Sequence, residues 1–349
     1  MKKRNLSAKK KIHNFYLKNL NNNKIKTIYS QFKKSLDNQN IKSLGIAISG
    51  GPDSLALAFL AKCYSIQKNK KYLYFIVDHK LRKESTKEAK LTKKNLKTYG
   101  INCEILIWDK KKLVSNLQST ARENRYRLIF NKFSEKKINL ILTAHHKDDL
   151  YENFFIRLLR GSGLKGLSSF SSPKTKINKE KDIFVFRPLL NISKNDLAYI
   201  AKKTFNFFII DPSNEDDKFL RIKIRKLINQ LTQNGLDFKK FKLTLENLYK
   251  SNQTIEFYVK KNIKDNSIFL NQKKSIILSE NFLNQPDEIV FRSFSELIHK
   301  LGNKKKYTRG SKILNLIRSI NLSENFKKKT LSGCTFEKLN KSIIISQER

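Results

Sequence analysis

A short loop of small and polar residues has the composition of a phosphate-binding site. Its residues are Ser49-Gly50-Gly51-Pro52-Asp53-Ser54, and they follow an apolar run at 44–48. The next segment, 54–66, has helical spacing, so unpaired N–H groups and two glycines would let an anion approach the backbone closely. Ser49 and Ser54 add hydroxyl groups, and Asp53 offers a carboxylate to a Mg²⁺ ion that bridges phosphates. The alternative is a plain strand-to-helix turn.

A second group of polar residues could carry out acid–base chemistry. The run His145-His146-Lys147-Asp148-Asp149 follows another apolar stretch, and Glu152 comes three residues later. In a helix, Asp149 and Glu152 share a face, where they could bind a cation or accept a proton. Equally, acidic residues in a first helical turn could only complement the helix dipole. The histidines have no companion ligands at zinc spacing, which argues against a zinc site.

Six basic residues are candidates for contact with the phosphates of a substrate. They are Arg122, Arg125, Arg160, Lys165, Arg221 and Arg225. Arg122 and Arg125 would share one helix face, where they could reach a phosphate or form only a solvated basic surface. Contacts of this kind give affinity for a nucleic acid without selecting its sequence.

Two common nucleotide-binding signatures do not apply. The sequence has no Walker-type run ending in Gly-Lys-Ser or Gly-Lys-Thr, so the phosphate-gripping lysine of that class is absent. Residues 161–166 match G-x-G-x-x-G, but they follow a helical pattern where the dinucleotide fingerprint requires a strand. We therefore expect a flexible loop at 161–166.

The charge of the chain favours a polyanionic partner. Its 73 Lys+Arg residues against 30 Asp+Glu give a formal net charge of +43. A genome-wide bias toward lysine is the alternative, although it does not explain the scarcity of acidic residues. No stretch approaches the roughly 20 apolar residues of a membrane-spanning helix. The three cysteines are scattered, which predicts a reducing, cytoplasmic location.

The elements around these residues alternate between strands and helices. Apolar runs predict strands at 44–48, 72–77, 101–108, 140–144 and 183–186, and helical spacing predicts helices at 54–66, 86–99, 119–136, 148–160 and 194–205. This alternation is typical of an α/β fold with a doubly wound parallel sheet, whose ligands bind at the carboxyl ends of the strands. We expect a basic N-terminal lead at 1–40, an α/β domain at 41–225 and a smaller, mostly helical domain at 226–349. The last should end in a hairpin at 330–346, with turns at Ser332-Gly333 and Leu339-Asn340.

The loop at 49–54 reads SGGPDS, which resembles the SGGxDS signature of the N-type ATP pyrophosphatases, or PP-loop enzymes. Further runs resemble the tRNA(Ile)-lysidine synthetases of that superfamily in order and spacing: VDHKLR at 77–82, AHHKDD at 144–149 with Glu152, RLLRGSG at 157–163, RPLL at 187–190 and DPSN at 211–214. The resemblance is strong over about 44–228. Asn153 and Ile222 depart from the family pattern, and a final C-terminal subdomain of the longest members is expected to be missing or reduced.

The resemblance implies a complete reaction. An enzyme of this family uses ATP and free lysine to convert the wobble cytidine of a CAU-anticodon isoleucine tRNA to lysidine, releasing AMP and pyrophosphate. It implies that Asp53 acts with Mg²⁺ at the ATP loop, that Asp149 and Glu152 handle the lysine, and that 226–349 binds tRNA. The alternatives are another PP-loop tRNA-modifying enzyme, such as a thiolase, or a basic RNA-binding protein without activity. The sequence does not indicate an oligomeric state.

Overall fold

A computed structural model describes residues 2–39, 43–78, 80, 84–108, 128–129, 131–133, 135–136, 138–178, 183–210, 220–270, 274–302, 308–322 and 326–348. The chain divides into two compact units, Met1–Lys242 and Leu243–Arg349. The expected boundary near Arg225 falls inside a continuous helix, Leu220–Gln233, so the structural division lies further along the chain. Among the described residues, none of the helices has the apolar length that crossing a membrane requires.

The first unit is built on a six-stranded sheet. Its strands are β1 (Leu44–Ile48), β2 (Leu73–Asp78), β3 (Cys103–Ile107), β4 (Leu140–Leu142), β5 (Lys174–Asn178) and β6 (Ile183–Phe186). They lie in the order β3-β2-β1-β4-β6-β5, and all neighbours are parallel except the edge pair β5 and β6. This confirms the predicted doubly wound sheet. The polar composition of β5 hides it from a search for apolar runs.

The helices of this unit are α1 (Lys2–Leu20), α2 (Asn23–Asp37), α3 (Pro52–Gln67), α4 (Ser85–Thr98), α5 (Lys147–Leu158), the short α6 (Leu164–Ser168), α7 (Lys194–Thr204) and α8 (Leu220–Gln233). Helix α3 is almost entirely buried, since it packs against β1 on one side and α7 on another. This packing fixes the position of the loop that precedes α3. The helix predicted at 119–136 lies largely outside the described residues.

The expected N-terminal lead is instead part of the first unit. Its two helices, α1 and α2, bury Tyr16, Phe32 and Leu36 in the main core beside α3. Asn22 caps α2 by accepting a hydrogen bond from the backbone N–H of Ile25 at 3.2 Å. The many lysines of this segment mask its helical apolar stripe, which is why its composition alone suggests a polar lead.

The second unit combines helices with a five-stranded antiparallel sheet. Helix α9 (Phe238–Asn266) runs across the division, and α10 (Asp287–Leu301) and α11 (Gly310–Leu322) follow. The strands β7 (Ser267–Leu270), β8 (Ser275–Leu278), β9 (Lys329–Leu331), β10 (Cys334–Leu339) and β11 (Ser342–Gln347) lie in the order β7-β8-β11-β10-β9. The predicted closing hairpin is confirmed, with positive φ at Ser332, Gly333 and Asn340 in its turns. The sequence does not predict β7 and β8.

Candidate active site

The loop between β1 and α3 forms a compact, internally bonded turn. The Ser54 hydroxyl accepts hydrogen bonds from the backbone N–H groups of Ser49 and Gly50, both at 3.1 Å, and donates to the carbonyl of Gly51 at 2.9 Å. Gly50 has φ of +90°, and a Cβ there would lie 2.7 Å from the Thr92 hydroxyl, so only glycine fits. Gly51 precedes Pro52 at the start of α3, which leaves the helix N-terminus open to an anion.

The chain after α7 supports this loop from the other side. The N–H of Ile209 donates to the Gly50 carbonyl at 2.9 Å. Residues 207–210 have no regular structure. Phe207 and Phe208 pack against the main core, which holds this segment beside the loop. The run at 211–214 lies outside the described residues.

His146 connects the loop to the second group of polar residues. Strands β1 and β4 are neighbours, so the segments that follow them meet at the same edge of the sheet, where the strand order reverses. The His146 ring lies with Nε2 3.6 Å from Asp53 Oδ2 and 3.4 Å from Asp149 Oδ2. Its Nδ1 lies 3.3 Å from Asp148 Oδ2. The two predicted groups of polar residues therefore lie side by side.

Electrostatics make this histidine a cation. Burial disfavours the charged ring, but Asp148, Asp53 and Asp149 outweigh it and raise the pKa of His146 to about 10. Burial likewise raises the pKa of Asp148, whereas the charged ring of His146 and a hydrogen bond from the backbone N–H of Lys194 lower it to about 2. At neutral pH the ring is a donor and cannot act as a base.

Asp149 and Glu152 are held by two arginines of α8. Glu152 is only 3% exposed, and its two oxygens accept hydrogen bonds from Arg221 Nε and Arg225 Nε, both at 2.6 Å. Arg221 Nη2 also donates to Asp149 Oδ1 at 2.7 Å. Asp149 Oδ2 accepts from the N–H of His146 at 3.1 Å, so this carboxylate also caps α5. A charge cluster of this density, at the carboxyl edge of a sheet, is typical of a functional site.

A small cleft opens beside this cluster. It has a volume of about 220 Å³ and is lined by Asp148, Glu152 and Arg225, by Tyr151 and Ile228, and by residues around the start of α7. Charged groups of both signs therefore face an apolar wall. Such a cleft has the size and chemistry to hold part of a small zwitterion.

Comparison with known proteins identifies the family. A family model described as a PP-loop domain matches residues 23–232. The tRNA(Ile)-lysidine synthase of Orientia tsutsugamushi (strain Boryong) is 34% identical over 316 residues, covering 87% of this chain and 69% of that protein. That of Wolbachia pipientis wMel is 32% identical, covering 87% of this chain and 70% of that protein.

The chain belongs to the tRNA(Ile)-lysidine synthase family of PP-loop enzymes. Membership makes ATP the co-substrate and the chain a ligase. A solved structure of the U34-tRNA thiolase NcsA from Methanococcus maripaludis, with its 4Fe-4S cluster, is also similar. It has a TM-score of 0.55 and 20% identity, over 65% of this chain and 79% of that one, which shows a shared fold. The three cysteines here, Cys63, Cys103 and Cys334, are buried and form no disulfide, so the thiolase alternative is not favoured.

Other predicted site residues of this family member lie elsewhere. Arg122 and Arg125 are outside the described residues. Arg160 and Lys165 follow the far end of α5 and are exposed, away from the carboxylates at its start. The loop expected at 161–166 contains the short helix α6. Arg221 and Arg225, which the sequence suggests as tRNA contacts, lie in the cleft against the carboxylates.

Asp78 is a buried carboxylate that orders the segment after β2, a contribution that the sequence did not predict. It ends β2, and its carboxylate accepts hydrogen bonds from the N–H of Lys80 at 2.9 Å, Ser85 Oγ at 2.9 Å and Thr86 Oγ1 at 2.6 Å. Burial would raise its pKa, but these bonds lower it overall. An acidic residue directly after an apolar strand, with hydroxyl residues close behind, is the signal that could have revealed it.

Proposed function

We propose that this chain ligates lysine to C2 of the wobble cytidine of an isoleucine tRNA with a CAU anticodon. The reaction would consume ATP and release AMP and pyrophosphate. One observation carries the proposal: His146 lies within 3.6 Å of Asp53 and 3.4 Å of Asp149, so the phosphate loop and the carboxylate cluster adjoin each other. A reaction that first activates the cytidine with ATP and then joins lysine to it needs the ATP site and the lysine site next to each other.

The loop would hold the pyrophosphate side of ATP. The open N-terminus of α3 and the Ser49 hydroxyl supply donors, and the cationic ring of His146 adds positive charge nearby. The oxygen at C2 of cytosine is a poor leaving group. Transfer of the adenylyl group to that oxygen, with loss of pyrophosphate, makes AMP the group that lysine later displaces.

Asp53 fits the requirements of a magnesium ligand. Its Oδ1 is buried and has no hydrogen-bond partner among the described residues, while its Oδ2 faces His146. Mg²⁺ in nucleotide sites is commonly held by one or two carboxylates together with substrate phosphates. The ion would neutralise charge on the phosphates as the bond to the α-phosphate breaks.

The carboxylates would handle the lysine. The attacking amine must be neutral, although the reference pKa of lysine is about 10.4, so a carboxylate acceptor or desolvation is needed. Glu152 and Asp148 line the cleft, and Asp149 lies beside Glu152, since Arg221 donates hydrogen bonds to both. Arg225 bonds Glu152 through Nε and has no further partner among the described residues, which leaves its Nη groups available to the lysine carboxylate.

A direct assay tests this function. The protein is incubated with ATP, Mg²⁺, labelled lysine and a CAU-anticodon isoleucine tRNA transcript, and the digested nucleosides are weighed by mass spectrometry. We expect a lysine–cytidine adduct that depends on all four components. If the transcript binds but no adduct forms, the proposed function is wrong.

We also propose a cytoplasmic location, because three cysteines that form no disulfide suit a reducing compartment.

A further inference from the structure

The far end of α5 carries an exposed turn that the fold does not explain. We call residues 157–163 the α5 turn. Residues 157–161 are all exposed, including Leu158 at 49% and Leu159 at 63%. Arg157 and Arg160 flank these leucines, and no described acidic side chain pairs with either arginine. Adjacent exposed leucines between unpaired arginines suit a partner with both apolar faces and negative charge.

One glycine in the α5 turn is not required by the structure of the free protein. Gly161 has φ of +65°, so its backbone conformation favours glycine. Gly163 has φ of −70°, which any residue adopts, and no atom lies within 4 Å of the position that its Cβ would occupy. Neither strain nor packing requires glycine at this position. A backbone without a side chain on an open surface allows a ligand to approach closely.

Helix α5 links this turn to the active site. Asp149 and Glu152 lie in its first two turns, and Leu158 is its last residue. Near its end, Phe154 and Phe155 pack on Phe241 with ring centroids 5.1 and 5.4 Å apart, which anchors the helix. The rise of an α-helix puts Leu158 about 14 Å beyond Asp149. That distance corresponds to a few nucleotides of a single strand.

We propose that the α5 turn binds the single-stranded anticodon loop beside the reacting cytidine. Arg157 and Arg160 would contact its phosphates, Leu158 and Leu159 would pack on exposed base faces, and the backbone at Gly163 would lie against the strand. Recognition of single-stranded RNA relies on unstacked bases and backbone contacts of this kind. The charge of +43 favours RNA over a protein partner. This proposal rests on the proposed function.

Three variants and one control test the proposal. Gly163→Ser, Leu159→Ser and Arg160→Gln are compared with Leu91→Ser, which changes a leucine on α4 that is 44% exposed. Affinity is measured for the full tRNA and for an anticodon stem-loop RNA at several salt concentrations. We expect the Leu159 and Gly163 variants to weaken binding of both RNAs about tenfold. Arg160→Gln should also reduce the salt slope by about one.

Gly163→Ser is the sharpest variant, because serine fits the free protein. Serine is a favoured residue at the start of a helix, and the surrounding space is open, so the melting temperature should stay the same or rise slightly. Loss of RNA affinity without loss of stability would support a direct contact. Unchanged affinity in the Leu159 and Gly163 variants would overturn the proposal.

The results also separate this proposal from the proposed function. If the wild-type protein forms the adduct and the variants bind RNA normally, only the proposal that the α5 turn binds RNA is refuted. Wild-type protein that forms no adduct, alongside variants that lose RNA affinity, would refute only the lysidine reaction. If sedimentation shows that the variants lose a dimer while retaining RNA affinity, the turn contacts a second copy and the proposal is wrong.

Discussion

Replacing Glu152 by glutamine would separate its structural role from its proposed role toward lysine. Glu152 is 3% exposed, and both of its oxygens accept hydrogen bonds of 2.6 Å from arginines of α8. Glutamine keeps the shape but loses the charge, and its amide N–H₂ must face a guanidinium. The substitution therefore weakens the attachment of α8 and removes one acidic group from the cleft.

The size of the destabilisation follows from the exposure of the partners. A hydrogen bond to a charged group contributes about 1.5–3 kcal/mol, and Glu152 makes two. The side chains of Arg221 and Arg225 are 47% and 30% exposed, so solvent screens both interactions. Glutamine also retains one acceptor. We therefore expect a loss of about 2 kcal/mol, or a fall in melting temperature of roughly 4–8 °C for a unit of this size.

Lysine binding gives a readout that a purely structural role would not change. Lysine should raise the melting temperature of the wild type, because a ligand that binds only the folded state stabilises it. In Glu152→Gln we expect the lysine-induced rise in melting temperature to disappear. The KM for lysine should rise about tenfold or more, because one charged contact is lost. Pyrophosphate release in a single turnover without lysine should persist, since the ATP loop is intact.

Glu280→Gln is the matched control. Glu280 is 51% exposed and pairs with Lys341 at 3.1 Å on the surface of the second unit, so its loss should cost less than about 1 kcal/mol and leave the lysine response unchanged. A Glu152→Gln variant that melts lower than wild type but keeps the wild-type lysine shift and KM would contradict this prediction. In that case the carboxylate only anchors α8.

Three further predictions concern the loop, the sheet edge and the charge. Asp53→Asn should reduce AMP release at least about 100-fold while tRNA affinity stays near wild type, and equal release by both proteins would remove Asp53 from the mechanism. Asp78→Asn should lower stability at neutral pH by about 2 kcal/mol. Because the pKa of Asp78 is lowered in the folded state, the stability difference between wild type and variant should be fully present above the unfolded pKa of Asp78. It should disappear as the pH falls through the folded pKa. A stability difference that stays constant down to low pH would contradict this prediction. Finally, tRNA affinity should fall steeply with salt, whereas a flat response would exclude the basic surface as the tRNA footprint.

Local pattern predicted much of the first unit. The runs at 44–48 and 183–186 coincide with β1 and β6, because buried parallel strands are apolar along their length. Helices α3 and α7 begin within two residues of their predicted starts. The misses share one cause: α1, α2 and β5 carry so many lysines or polar residues that their buried faces do not dominate the composition. Tertiary packing, which a single sequence does not display, decides those segments.

The same limit applies to the site, where contacts within one segment are readable and contacts between segments are not. The spacing of Asp149 and Glu152 shows that they share a helix face, but no pattern shows that Arg221 and Arg225 meet them from α8. The stretch that leads to α8 also contacts the ATP loop, since Ile209 donates to the Gly50 carbonyl at 2.9 Å and Arg221 lies only a short way further along the chain. Ile209 and Arg221 thus each contact a group that lies far away in the sequence, and only the folded structure brings these partners together.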